Sequence, residues 1–448
     1  MVSALEAAGR PRGRSRRLLV PHSHFPDTAS RSHLPHPSSL TPVTVLVLNA
    51  GSSSLKIDLL DAETGITLAA GQVERIGAVS SLASFRLGEG KPERVSLQAP
   101  DHATALSHLL DRMREADGPE GDVLPEIEAV GHRVVHGGEQ FAESALIDGE
   151  VIDAIRDAFD LAPLHNPANL QGIRAAQKAF PDVPHVAVFD TAFHQTLPPQ
   201  AYLYALPNRL YRRHKIRRYG FHGTSHYYVS RRLYDLEGLD VQSSRVVTLH
   251  LGNGCSACAI KDGRSVDTSM GMTPLEGLVM GTRSGDLDPS IVFEIAEKED
   301  APLTEVHTLL NRYSGLLGLS GYAADMRDLL AEAADGDVRC QQAVDVFCYR
   351  VKSYLGRYLA VLGGLDGVVF TAGIGTFAAP VRAQILDGLE GLGIVLDADA
   401  NESADGTEAR ITTADSAVPV WVIPTNEELV IAQDTQKLAR AARQSPFV

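Results

Sequence analysis

The sequence predicts an α/β protein whose two halves carry related units, and three stretches lead to that reading. The first is VTVLVLNAGSSSLKIDLLD, residues 43–61, where an apolar run meets a glycine-serine turn and a second run follows. The second is RVVTLHLGNGCSACAIKDG, residues 245–263, which lies about 200 residues downstream and is built the same way. The third is DGVVFTAGIGTFAAPVRAQILDGLEGLG, residues 366–393, a strand that feeds a glycine pair and then a helix. Two strand–turn–strand units in the two halves of one chain suggest a duplicated domain, and such domains can clamp phosphates between them. The 448 residues suffice for two or three domains, since single cores stop growing near roughly 250–300 residues.

Residues 1–42 differ from everything after them. Six arginines, no lysine and two acids, Glu6 and Asp27, give this segment about +4 and leave about −19 for the rest of a chain of net charge −15. It has no apolar core of a secretory signal, and three readings stay open: a disordered extension, a start codon placed too early, or an Arg- and Ser-rich transit peptide.

In the first hairpin, Ser54 to Leu60 alternates polar and apolar residues, the period of a half-buried strand. A Walker loop would need a glycine directly before Lys56 and a helix after it, and neither is present. Either the turn is an ordinary exposed tip, or its N–H groups and the Ser52, Ser53 and Ser54 hydroxyls converge on an anion with Lys56 adding charge. Next, EAVGHRVVHGG places His132 and Arg133 in a strand, and HVAVFDTAFHQTLP ends a strand on Asp190. An acid beyond the carboxyl end of a strand reads as a metal or acid–base residue, or as a helix cap.

YGFHGTSH then brings two histidines around a glycine turn. In the second hairpin Val246 to Leu251 enters Gly252-Asn253-Gly254, and Cys255 and Cys258 read as small buried strand residues, since no second Cys or His pair stands at ligand spacing. MGTRSGDLDPS presents Arg283 in a polar loop. In the third unit the strand Val368 to Thr371 enters Gly373-Ile374-Gly375, and a helix is expected from about Ala378 with Pro380 in its first turn. A glycine turn at a helix start favours phosphate or ribose.

Composition narrows the classes. Hydrophobic residues at 44% and charged ones at 22% describe a globular protein, and no apolar run is long enough to span a membrane. The acidic balance argues against a general nucleic-acid binder but allows a local basic pocket for an anion. Four cysteines are too few for a disulfide framework, which fits a reducing compartment.

Taken together, LNAGSSSLK, GHRVVHGG, FDTAFHQTLP, YGFHGTSH, HLGNG, TSMGMTPLEGLVMGTRSGDLDP, SGLLGLSG, DMRD and IPTNEELVIA resemble the acetate kinase (acetokinase) family, in the family's order from about residue 43 onward. The resemblance implies two actin-like (ribonuclease H-like) α/β domains with nucleotide in the cleft between them. They would span 43–192 and 193–425, with a C-terminal helix in 426–448 packing back on the first. It implies Mg2+ (or Mn2+) and ATP, acetate as acceptor, acetyl phosphate and ADP as products, a cytoplasmic homodimer contributing to acetyl-CoA synthesis, and neither nucleic-acid nor membrane partners.

Carried over motif by motif, Asn49, Ser52, Ser54 and Lys56 would line the phosphate path, with Asn49 and Glu427 at the metal. His250, Leu251, Gly252, Asn253 and Gly254 would meet the nucleotide, as would Asp325, Met326, Arg327 and the segment Gly373, Ile374, Gly375, Thr376, Phe377. Arg133 and Arg283 would flank the carboxylate and the transferring group, and His222 would hydrogen-bond that group. Asp190 is expected to position substrate and metal, because acetate is already ionised and needs no general base. Val135, Leu164, Phe221 and Pro274 would wall the methyl pocket.

Carboxylate attack on a γ-phosphorus brings one anion onto another, so such a set of cations is required. One departure stands out: Thr376-Phe377 occupies the place of the family's Glu-Asn, which bears on nucleotide choice. The rival readings are a propionate or butyrate kinase of the same family and a non-catalytic nucleotide switch. A switch would need no carboxylate site.

Overall fold

The structure, a computed structural model, describes residues 43–117, 124–163 and 165–444. The expected N-terminal extension and Leu164 lie outside the described residues. Among the described residues fourteen strands form two sheets. The first sheet holds β1 (Thr44–Gly51), β2 (Ser54–Asp61), β3 (Thr67–Glu74), β4 (Ser81–Leu87), β5 (Glu93–Leu97), β6 (Ala129–Val134), β7 (Ala145–Leu146) and β8 (His185–Phe189) in the order β5-β4-β3-β2-β1-β6-β8-β7. The second holds β9 (Arg245–Leu251), β10 (Cys255–Lys261), β11 (Arg264–Thr268), β12 (Gly367–Thr371), β13 (Ala409–Arg410) and β14 (Val420–Val422) in the order β11-β10-β9-β12-β14-β13.

The two sheets share one plan. In the first, β3, β2 and β1 run antiparallel and β1, β6 and β8 parallel. In the second, β11, β10 and β9 run antiparallel and β9, β12 and β14 parallel. Each serine- or glycine-rich turn therefore joins the first two strands of its sheet, Gly51 pairing with Ser54 and Leu251 with Cys255. The duplication inferred from the hairpins is a duplication of topology.

The centre of β1 is an apolar run because it lies mid-sheet, and Val45, Leu46, Val47 and Leu48 are all buried. The alternation expected of β2 stops at Ile57. Beyond it Asp58, Leu59 and Leu60 are all buried, since β2 is covered on both faces there. Asp58 is tolerated because Lys56 Nζ stands 3.2 Å from it. Cys255 and Cys258 lie buried in β10 as free thiols, and burial pushes the Cys255 thiol up to about 12, which leaves it inert.

The helix Glu427–Gln444 packs on β1, β6 and β8 of the first sheet, burying Val430, Ile431, Ala432, Thr435 and Ala439. Its approach depends on Gly131 in β6, where an added Cβ would stand 2.7 Å from Ile431 Cγ2 and 2.5 Å from Thr435 Oγ1.

One expectation needs correction. The helix expected from about Ala378 is present as Ala379–Leu386 with Pro380 in its first turn, but the Gly373 segment before it is not a loop: it is a helix of its own, Ala372–Phe377. Its continuation is fixed by Arg382, fully buried and in no ion pair among the described residues, whose guanidinium donates to Gly375 O, Thr376 O, Asn401 O, Asn401 Oδ1 and Ala404 O. Five acceptors on neighbouring turns hold the segment helical.

Gly131→Ala should lower stability by about 1–3 kcal/mol, because the C-terminal helix must lift off β6 or Ile431 must leave its rotamer. A thermal melt indistinguishable from the parent protein would show that the helix is not seated by this contact.

Candidate active site

Side chains expected at the site collect at the carboxyl ends of the central parallel strands, the position where open α/β sheets bind ligands. In the first sheet these are Asn49 near the end of β1, Arg133 near the end of β6 and Asp190 just past β8. In the second they are the Gly252–Gly254 turn after β9 and the Ala372–Phe377 helix after β12. The two sets meet: Gly223 N–H donates to Asp190 O at 2.9 Å, which brings His222 beside the first set.

Arg133 grips Asp190 with both ends of its fork, Nε to Oδ1 at 2.9 Å and Nη2 to Oδ2 at 2.8 Å. The Asp190 carboxylate is nearly fully buried and both its oxygens are engaged, so its visible task is to orient Arg133. Glu427 Oε2 lies 3.9 Å from Arg133 Nη1, and burial raises its carboxyl above the usual range, with Arg133 acting the other way.

Arg283 is different. Its Nη1 donates to Pro274 O at 3.2 Å and approaches Met280 Sδ at 3.7 Å, and no carboxylate among the described residues pairs with it. Burial holds its guanidinium below the usual range. The loop that carries it is pinched shut at its base, where Asp286 Oδ1 accepts from Gly277 N at 2.8 Å and Tyr354 O–H donates to Asp286 Oδ2 at 2.6 Å. Gly285 takes a φ of +68° there, and a Cβ would stand 2.5 Å from Gly277 O. The close approach of the loop requires glycine.

His222, Gly254 and Arg283 lie together. A Cβ on Gly254 would be 3.5 Å from His222 Nε2 and 3.6 Å from Arg283 Nη1. His222 stacks on His250 at 4.1 Å between ring centroids. Burial, with His250 and Arg133 adding like charge, holds His222 well below the usual imidazole range, so it is neutral at pH 7. His250, kept by Ser225 Oγ at 2.8 Å, is likewise pushed down to about 3.

The remaining expected residues divide. Gly252 faces Ala372, whose Cβ would be 3.6 Å from its own, and Gly281, packed against Asn253 Oδ1, also faces Ala324 O, so the Asp325 segment adjoins the second turn. Asp325 caps the helix Met326–Ala334 and binds Arg327 in a two-point pair on the surface. Ser52 is exposed and Ser54 partly so. Lys56, expected on the phosphate path, is held by Glu428 and Asp58.

Several side chains do not point into the site. Leu251 and Met326 are buried in the core of the second sheet, which leaves only their backbones for a ligand. Thr376 is buried, whereas Phe377 is 60% exposed. Of the apolar pocket, Phe221 is buried, Val135 and Pro274 are partly exposed, and Leu164 is outside the described residues.

The sequence reading missed four kinds of residue. His165 titrates in the field of Arg283, Asp190 and Arg133, and burial holds it low. Asn169 joins the ends of two strands, its Nδ2 donating to Ala50 O at 2.7 Å and its Oδ1 accepting from Val135 N at 3.1 Å. Asn166 does the same for His136 through Oδ1 and Nδ2. His226 and Ser256 lie behind His222. The run HNPANL, with two amides three apart at a helix start, was the signal available for the first three.

A divalent cation fits these residues in one way only. No three of His, Cys, Asp and Glu converge among the described residues. Glu427 has oxygens free of hydrogen bonds, and the Asn49 amide has no protein partner among the described residues, so the protein offers one or two hard oxygen donors. That set suits Mg2+, which keeps several waters and is held largely by substrate phosphates.

Comparison with known proteins identifies the family. A family model described as the acetokinase family matches residues 44–433. Acetate kinase of Thermoanaerobacterium thermosaccharolyticum is 51% identical over 400 residues, covering 89% of this chain and all of that protein. The enzyme of the same name from Halothermothrix orenii is 51% identical over 397 residues, again over its whole length. Among solved structures, Porphyromonas gingivalis acetate kinase superposes with a TM-score of 0.84 at 43% identity, covering 88% of this chain and 99% of that one. A propionate kinase from Francisella tularensis gives 0.82 at 43% identity, with the same coverage. The fold is thus the two-lobed actin-like one, and with a family match spanning nearly all described residues the chain belongs to the acetokinase family.

Proposed function

We propose that this chain is an ATP:acetate phosphotransferase that makes acetyl phosphate and ADP reversibly, by direct in-line attack of the carboxylate. One observation carries the reading: Arg283, a partly buried guanidinium without a carboxylate partner among the described residues, stands beside a neutral histidine and a glycine turn. An uncompensated cation at a strand-end site is expected where an anion is to be bound and its developing charge stabilised. A nucleotide switch has no need of it.

In this reading Arg133, locked by Asp190, orients the acetate carboxylate, and Arg283 offsets the repulsion between that carboxylate and the incoming phosphoryl group. His222 donates a hydrogen bond to an equatorial oxygen. The Gly254 turn lets the phosphates approach because a side chain there would meet both His222 and Arg283. Asn49 and Glu427 would hold Mg2+, which neutralises phosphate charge when bound. Lys56 would exchange Glu428 for a phosphate. Val135 and Phe221 wall the methyl group.

The propionate reading draws on the near-equal likeness to a propionate kinase structure and on Val135, since one methylene in an apolar pocket is worth only about 1–3 kcal/mol. Free cysteines fit a cytoplasmic protein. A homodimer is supported by the helix Ser290–Lys298, which buries none of its residues although Ile291 and Phe293 are exposed at 42% and 67%.

Three experiments test the proposal. Hydroxamate trapping with ATP, Mg2+ and acetate, propionate or butyrate should show acetate turnover, and Arg283→Ala should cut it by about 10^2-fold or more with unchanged circular dichroism. Turnover kept at saturating acetate would remove Arg283 from the chemistry. Val135→Ala should move the kcat/KM ratio towards propionate, and an unchanged ratio would place Val135 outside the pocket.

Because only Phe377 of the departing pair is exposed, Phe377→Asn should change the ATP-to-GTP ratio of kcat/KM by about 3- to 10-fold, the size of one polar contact exchanged for a stacking surface. An unaltered ratio would show that position 377 does not meet the base.

A further inference from the structure

We propose that Ser256 and His226 are positioning residues that fix His222 as an Nε2–H donor. The inference rests on the reading of His222 given above, and the hydrogen-bond chain behind that ring carries it. His222 Nδ1 meets Ser256 Oγ at 2.9 Å, Ser256 Oγ meets His226 Nε2 at 2.7 Å, and His226 Nδ1 meets Thr248 Oγ1 at 2.7 Å. The three residues behind His222 are all buried.

The direction of the chain follows from counting protons. A neutral imidazole has one N–H and one bare nitrogen, and a hydroxyl donates once. The Thr248 hydroxyl has no partner other than His226 among the described residues, so its proton goes to His226 Nδ1. Were His226 Nδ1 protonated instead, Thr248 would hold a buried donor with no acceptor, which is costly. His226 must then carry its proton on Nε2 and donate it to Ser256 Oγ.

Among the described residues Ser256 has no other partner than the two histidines, so its own proton goes to His222 Nδ1. His222 is left with its proton on Nε2, the nitrogen that lies beside the Gly254 turn. Both rings stay neutral, which the counting requires: burial with neighbouring histidines holds His226 well below the usual range, as it does His222.

A histidine that must donate to a phosphoryl oxygen without carrying a charge needs this tautomer and no other. Free imidazole populates both forms. The chain anchored on β9 through Thr248 and on β10 through Ser256 removes the wrong one before substrate arrives, and stacking on His250 fixes the ring plane. His222 is the left-handed N-cap of the helix Gly223–Glu237 and its carbonyl accepts from His226 N at 3.0 Å, which sets the two rings close enough for both to reach one serine.

The test is a long-range 1H–15N correlation spectrum of 15N-histidine-labelled protein, with the His222 signals identified by their loss in His222→Gln. The expected spectrum has a protonated Nε2 and a bare Nδ1. Ser256→Ala should populate both tautomers and lower kcat about 10-fold, the size of one hydrogen bond to a charged group, while KM for ATP and acetate stays within about two-fold. Ser256→Thr should restore both readouts. A protonated Nδ1 in the parent protein, or an unchanged tautomer and kcat in Ser256→Ala, overturns the inference. Full activity of His222→Gln would instead remove the role of His222, and the tautomer spectrum would still judge the chain behind it.

Discussion

Keeping one guanidinium without a counterion in a partly buried site is the constraint on which the rest of the structure turns. Arg133 has Asp190, bound at two points, and would be satisfied in any protein. Arg283 has a carbonyl and a thioether. Desolvating a cation with so little return costs several kcal/mol, and folding must hold it there against that cost. The pinched loop does so through Asp286 and Tyr354, with Gly277 and Gly285 allowing backbone to approach backbone. In the proposed reaction the bound anion would supply the missing charge.

The histidines serve the same end by staying neutral. A cationic His222 next to Arg133 and Arg283 would add repulsion within an already positive site, and it would bind the ground-state phosphates as well as the transition state. Burial lowers the affinity of His222, His226 and His250 for a proton, with neighbouring histidines adding to it at His222 and His226 and Arg133 at His250, so all three stay uncharged. Net positive charge then comes from the arginines alone, whose protonation does not vary near neutrality.

What could be read from the sequence was what local chemistry determines. The Gly51 and Gly252 turns announce themselves by composition, and their strands by apolar runs, so the repeated hairpin and the fold class were legible. Arg133 and Asp190 were legible as charged residues in or at the end of a strand and Arg283 as a cation in a loop of small polar residues, while the roles expected of them came from the family resemblance. What escaped depends on long-range contacts. Gly373-Ile374-Gly375 reads as a loop, and it is helical because Arg382 ties its carbonyls to a distant turn. Leu251 and Met326 lie beside the site in sequence, yet their side chains turn into the core. Asn166 and Asn169 look like ordinary helix-start amides until Ala50, Val135 and His136 are brought to them.

The central claim, that Arg283 is left unpaired so as to bind charge that exists only during transfer, is tested most directly with a planar anion. Calorimetric titration of Mg·ADP and acetate in the presence of aluminium fluoride, whose flat form resembles a metaphosphate in flight, compares the parent protein with Arg283→Ala. The account predicts that Mg·ADP alone binds both proteins alike, while the fluoride complex binds the parent about 10^2-fold more tightly than the variant. Equal tightening in the two proteins would contradict it.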